Sequence, residues 1–163
     1  MATVTTLARA VGGASNPGRK IYLVEKEIDM AAAATAKGSA LAAADVIEAI
    51  SVGAGTMVIN AGMEVTETPA GGTGTVLDLG VTGVDADVFV DGFAFDSATA
   101  GDYAQNAAAF QPIVLGAADT IDVLVQAATT VSTSGKVRVW AVMMSVGEVG
   151  ETEGAIATRD QLA

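Results

Sequence analysis

Carboxylates are the side chains in this sequence that are best suited to chemistry, since nineteen Asp and Glu residues are present. Three of them, Asp85, Asp87 and Asp91, lie close together in the run VDADVFVDG. Calcium takes about six to eight oxygen ligands, and loop aspartates supply them in many β proteins. The order of an EF-hand is absent, because Phe89 occupies the position of the third ligand. We therefore favour a solvated acidic loop, and a calcium-stabilised sandwich stays open as an alternative.

Most of the common sets of catalytic residues are excluded, because the sequence contains no histidine and no cysteine. A Ser-His-Asp triad, a thiolate nucleophile and the usual zinc site are excluded. Neither a phosphate-binding P-loop nor a dinucleotide-binding glycine motif is present. Paired carboxylates can hydrolyse glycosides, but no spacing singles out such a pair. We predict that the chain is not an enzyme and uses no cofactor.

The charge is unevenly distributed along the chain, whose net charge is −11. Residues 1–20 contribute +3, residues 25–135 contribute −13, and the rest contributes −1. An acidic body repels nucleic acid, which is bound through clustered Lys and Arg. The sequence has neither a signal-peptide core nor an apolar run of about 18 residues or more. We predict a soluble protein made in the cytoplasm, without direct nucleic-acid or membrane contact.

Short alternating apolar runs, separated by glycine-containing breaks, extend over most of the chain. Such runs are typical of strands, and many of them at close spacing indicate a sandwich or barrel. The clearest runs are DVIEAISV, TMVINAGMEVTE, GTVLDLGV, VFVDGFAF, DTIDVLVQA and GKVRVWAVMM. The fold prediction is an all-β, antiparallel β-sandwich of about eight strands with extended N- and C-terminal arms.

The predicted organisation is an N-terminal arm (1–19), a β-sandwich domain (20–145) and a C-terminal tail (146–163). The alanine-rich residues 31–44 fit a short helix or a long loop equally well, since Gly38 interrupts the run. The longest strand is expected at 56–66, with a β-bulge at 60–62.

Five residues are candidates for interaction with a partner. In the last strand, Arg138 and Trp140 alternate with apolar residues, and an exposed tryptophan usually marks a contact. The other three are the basic residues of positions 1–20, Arg9, Arg19 and Lys20. Two alternatives stay open for Trp140: burial in the opposite register, or a sugar-binding platform with Tyr22 or Tyr103.

The order of the motifs resembles a group of tailed-bacteriophage virion proteins, the small β-sandwich capsid decoration (cement) and head-fibre proteins. The likeness covers about residues 20–145 and is carried by ADVIEAISVGAGTMVINAGMEVTET, TVLDLG, FVDG, ADTIDVLVQ and SGKVRVWAVMM. Gly53 departs from the pattern, where a proline is usual. The resemblance implies a jelly-roll-like sandwich, no catalysis, and homotrimers on the outside of the major capsid protein shell.

The leading hypothesis is therefore a capsid decoration or cement protein located in the virion, on the capsid exterior. The alternative is a head-fibre or tail adhesin module that binds a host-surface glycan.

Overall fold

The computed structural model describes residues 21–105 and 112–146, together with the backbone of residues 3–9. Within these ranges the chain forms ten strands, one α-helix and a short 3₁₀ helix (Phe95–Ser97). The strands are β1 (Thr3–Arg9), β2 (Ile21–Asp29), β3 (Val46–Val52), β4 (Thr56–Ala70), β5 (Val76–Val81), β6 (Asp85–Ala94), β7 (Tyr103–Gln105), β8 (Ile113–Leu115), β9 (Asp119–Ala127) and β10 (Ser134–Ser145).

The strands form two sheets. Sheet A has the order β1-β3-β9-β5-β6, and sheet B has the order β2-β10-β4-β7, with β8 also paired to β4. Every described pair is antiparallel except β1 with β3. The all-β sandwich is confirmed, and the described residues alone form ten strands instead of about eight. The jelly-roll connectivity stays a prediction.

The core lies between the two sheets, where the inward side chains of both form one buried cluster. Strand β10 shows the period of two most clearly, since Val137, Val139 and Ala141 are fully buried and the residues between them are not. The largest buried side chains include Phe89 and Phe95 of the β6 region. Two sheets packed in this way present two broad outer faces to possible partners.

The alanine-rich segment resolves into a helix, α1 (Met30–Lys37). Asp29 caps its N-terminus, because its carboxylate accepts a hydrogen bond of 3.0 Å from the Ala32 amide. Gly38 ends the helix with a φ of 78°, a left-handed conformation that glycine adopts without strain.

The N-terminal arm and the acidic loop differ in part from the prediction. Residues 3–9 of the arm form β1, which lies at the edge of sheet A. The acidic loop is shorter than expected, because β5 continues to Val81 and β6 already begins at Asp85, so that Asp85, Asp87 and Asp91 all lie within β6. Strand β4 does contain a β-bulge, but just before the predicted range of 60–62, because Val58 and Asn60 pair with consecutive residues of β10.

Candidate interaction surface

The outward face of sheet B carries the two predicted interaction residues that have described side chains. Arg138 and Trp140 are partly buried and alternate with the core residues of β10, so both lie on this face. The prediction that Trp140 lies on the face opposite Val139 is thus confirmed, and the alternative of core burial is wrong. Their role in binding a partner stays a prediction.

This face is charged at the N-terminal end of β10. The guanidinium of Arg138 donates a hydrogen bond of 2.6 Å to the Glu64 carboxylate, and Lys136 lies 2.9 Å from Glu67. The hydrogen bond to Glu64, followed by its charge, raises the pKa of Arg138. Lys136 behaves in the same way, since its hydrogen bond to Glu67 raises its pKa. Both cations therefore already have acidic neighbours on their own chain.

Trp140 occupies the next position along β10 and lies over a glycine. It pairs across the sheet with Glu25 on one side and Gly62 on the other. A Cβ atom at Gly62 would lie 2.7 Å from Trp140 Cζ2 and 2.8 Å from the Ala104 carbonyl oxygen. The indole ring therefore packs closely against a backbone that has no side chain at that point.

The two tyrosines proposed as partners of Trp140 lie in different places. Tyr22 packs against the core, on the inward side of β2, and so cannot form a platform with Trp140. Tyr103 is 72% exposed and pairs with Glu64, which also contacts Arg138. Tyr103 and Trp140 thus share the outward face of sheet B.

The same face is apolar at the C-terminal end of β10, and we name this region the apolar patch. One row crosses four strands, because Met144 pairs with both Ile21 and Met57, and Met57 pairs with Val114. A second, shorter row follows, in which Val142 pairs with Leu23. The apolar patch consists of Ile21, Leu23, Met57, Val114, Val142 and Met144.

Sequence reasoning missed the apolar patch, because its members come from four strands that are far apart in the chain. The one available signal was the alternation of Ile21 and Leu23 with Glu25 along β2. That signal places the three residues on one face but does not reveal their cross-strand neighbours.

The three basic residues of positions 1–20 are not brought onto this face by any described contact. Arg9 is the last residue of β1, in sheet A, where its backbone pairs with Ser51. Arg19 and Lys20 lie outside the described residues. Their predicted role in interaction stays a prediction.

The acidic cluster proposed for calcium lies on sheet A. The protonated Asp87 carboxyl donates a hydrogen bond to the Asp85 carboxylate, which raises the pKa of Asp87, and burial raises it further. Asp91 accepts a long hydrogen bond of 3.5 Å from Gln126. In the part of the chain with described side chains, no group of three or more His, Cys, Asp or Glu residues is placed to hold a metal ion.

Membrane insertion through a helix finds no support in the described ranges, where no helix is long and apolar enough to cross a bilayer.

The outward face of sheet B offers area, charge and an aromatic ring, which are features of protein or glycan recognition.

Comparison by sequence gives no match: no protein-family model matches the chain, and no curated protein matches it. Comparison by structure does give matches. The fold is similar to that of a chain in the capsid of Ralstonia phage GP4, with a TM-score of 0.59 and 16% identity, over 86% of this chain and 98% of that chain.

Two further capsid structures contain chains of similar fold. In the capsid asymmetric unit of cyanophage Pam1, the TM-score is 0.57 at 16% identity, over 84% of this chain and 93% of the other. In the acid-stable capsid of Helicobacter pylori bacteriophage KHP30, the TM-score is 0.55 at 12% identity, over 76% and 86%. The resemblance to phage virion proteins is thus confirmed at the level of the fold.

Proposed function

We propose that this chain is a structural protein of a phage virion, a decoration or cement protein that binds the outside of the head and stabilises it. The observation that carries the proposal is the shared fold with chains of three phage capsid structures. Because each match covers most of both chains, the matched chains are similar to this one in length as well as in fold.

The proposal gives the chain the major capsid protein as its partner and a homotrimer as its assembly. In this proposal the chain is made in the host cytoplasm. It acts without catalysis and without a cofactor, and it contacts neither a membrane nor nucleic acid directly. The net charge of −11 supports this placement, since an acidic sandwich is repelled by packaged DNA and suits the outer side of the shell.

Cementing follows from mass action. A protein that binds the assembled lattice better than loose subunits shifts the equilibrium toward the lattice. It therefore opposes the internal pressure of packaged DNA without any chemical step.

The experiment compares phage heads with and without this chain. Heads from a phage with its gene deleted are heated and osmotically shocked, and DNA release is followed with an intercalating dye. We expect release at a lower temperature and after a milder shock than in complete heads, with restoration when purified chain is added. Unchanged resistance would contradict cementing.

A glycan-binding adhesin is the second candidate, and the shared exposed face of Tyr103 and Trp140 favours it. Aromatic faces stack on sugar rings, and these two residues lie on one surface. A glycan array distinguishes the candidates: binding that is lost in both Trp140→Ala and Tyr103→Ala would support the adhesin.

A further inference from the structure

We infer that the apolar patch of sheet B is a docking surface for a different protein, one that presents apolar side chains bordered by Lys or Arg. This inference rests on the proposed function and deepens it, because it names the surface that meets the capsid.

The exposure of the patch is the first argument. Ile21, Leu23 and Val114 are 65%, 59% and 52% exposed, although each belongs to a regular strand. Scattered exposed apolar residues are ordinary, but these join through Met57 and Met144 into one continuous surface. Removing a continuous apolar surface from water is favourable, so such a surface favours a partner that covers it.

The border of the patch is acidic, which is the second argument. Glu25 and Glu27 are exposed and continue directly from Leu23 along β2. The neighbouring cations Arg138 and Lys136 already lie against Glu64 and Glu67. A partner that covers the patch therefore meets negative charge at its edge, and Lys or Arg there would complement it.

A second copy of this chain does not fit this border. Its residues 21–105 and 112–146 carry fifteen acids and four bases. Three of these bases, Lys37, Lys136 and Arg138, form ion pairs with carboxylates of their own chain. The fourth, Lys26, pairs across the sheet with the buried Val139 and so lies on the side of β2 opposite Glu25 and Glu27. Pairing one patch with another copy thus sets acids against acids, without an unpaired cation on this face among the described side chains. A homotrimer is then built through other surfaces.

The test measures binding of purified chain to phage heads from the gene-deletion strain, by co-sedimentation over a range of concentrations. The double variant Ile21→Asp/Val114→Asp places charge in the patch at two exposed sites. We expect its affinity for the heads to fall by about tenfold or more, as for truncation of a central contact. Val84→Asp is the matched control, since Val84 is 62% exposed in the turn between β5 and β6, and it should bind like the wild type.

A second variant tests the border. Glu25→Lys/Glu27→Lys reverses the charge beside the patch, and we expect slower association and a weaker dependence of binding on salt. Circular dichroism and melting temperature establish that each variant is folded, which is expected because all four positions are exposed.

The outcomes separate the inference from the function. Wild-type chain that does not bind the heads would overturn the proposed function and this inference with it. Binding that survives both double variants would overturn the docking surface alone. If sedimentation shows that Ile21→Asp/Val114→Asp breaks an oligomer of the free chain, the patch is covered by a second copy, and the inference is wrong.

Discussion

Trp140 and Gly62 are cross-strand partners on the outward face of sheet B, and the glycine makes room for the indole ring. A Cβ at Gly62 would lie within 3.0 Å of atoms from Trp140, Ala104 and Gln105. Real Cβ atoms do not approach so closely, and the Ala104 atom is a backbone oxygen that side-chain rotation cannot move. Gly62 therefore sets how tightly β10, β4 and β7 approach one another around the ring.

We predict that Gly62→Ala destabilises the fold and displaces Trp140. The added methyl group forces a shift of the ring or of β7, and overpacking of this kind costs about 1–3 kcal/mol. Because Trp140 is the only tryptophan in the sequence, its fluorescence reports the displacement directly. Gly116→Ala is the control, since a Cβ there meets nothing within 4 Å. Equal melting temperatures and emission maxima in the two variants would contradict the packing described.

Lys37, the last residue of α1, forms an ion pair with Asp45 and so links the C-terminal end of the helix to the sandwich. Its ammonium group donates hydrogen bonds to the Asp45 carboxylate and, at 2.9 Å, to the Ala40 carbonyl oxygen. Asp45 is only 2% exposed, so Lys37→Met leaves a buried carboxylate without this cation. We predict a loss of about 3 kcal/mol in the free energy of unfolding, measured in urea.

Lys136→Met is the matched control for this loss. Lys136 pairs with Glu67 and Asp29, whose side chains are 53% and 39% exposed, and exposed pairs contribute about 1 kcal/mol or less. A loss in Lys37→Met no larger than in Lys136→Met would show that the Lys37–Asp45 pair does not hold the helix.

Asp122 makes the stability of the fold depend on pH. Its Oδ2 accepts a hydrogen bond of 2.7 Å from Thr82, while the residue is 3% exposed. Burial raises the pKa of Asp122 above its ordinary value of 3.8, and the charge of Glu48 on the paired strand adds to this effect. The folded chain thus keeps this proton at a pH where the unfolded chain has lost it.

The sign follows from proton linkage. The stability that Asp122 contributes is complete below its unfolded-state pKa and is lost as the pH rises through the raised pKa of the folded state. Asp122→Asn removes the buried charge, so we predict that it stabilises the fold at neutral pH by about 1 kcal/mol. It also flattens the pH dependence above about pH 4, though Asp78 and Asp87, whose pKa values are also raised, retain part of it.

Urea denaturation at several pH values measures this effect. Glu25→Gln is the control, because it also removes one carboxylate, at a position that is exposed on sheet B, and it should leave the stability at neutral pH close to that of the wild type. A destabilised Asp122→Asn at neutral pH would contradict the assignment of an unfavourable buried charge.

The fold could be predicted from the sequence wherever a strand buries one face. In β10, the alternation of Val137 and Val139 with Arg138 and Trp140 fixes both the strand and its outward residues. The helix α1 stayed ambiguous, although its two ends carry signals, Asp29 as N-cap and Gly38 as C-terminal stop. Alanine alone does not decide between a helix and a loop in so short a segment.

Features that depend on the pairing of distant strands could not be predicted. Strand β1 is held by parallel pairing with β3, about forty residues away, and nothing local in TVTTLAR specifies that partner. The apolar patch has the same origin. Ile21 and Val114 belong to one row only because Met144 and Met57 lie between them across the sheet. The packing of the Trp140 ring against Gly62 likewise depends on the pairing register of β4 and β10, which the sequence alone does not reveal.

The most direct measurement is a cryo-EM map of the virion that contains this chain, at a resolution that separates β-strands. We expect density for the two-sheet sandwich in trimers on the outer surface of the head, with the apolar patch of sheet B against the major capsid protein. A head surface without this density, or the chain found only at the tail, would contradict the capsid role.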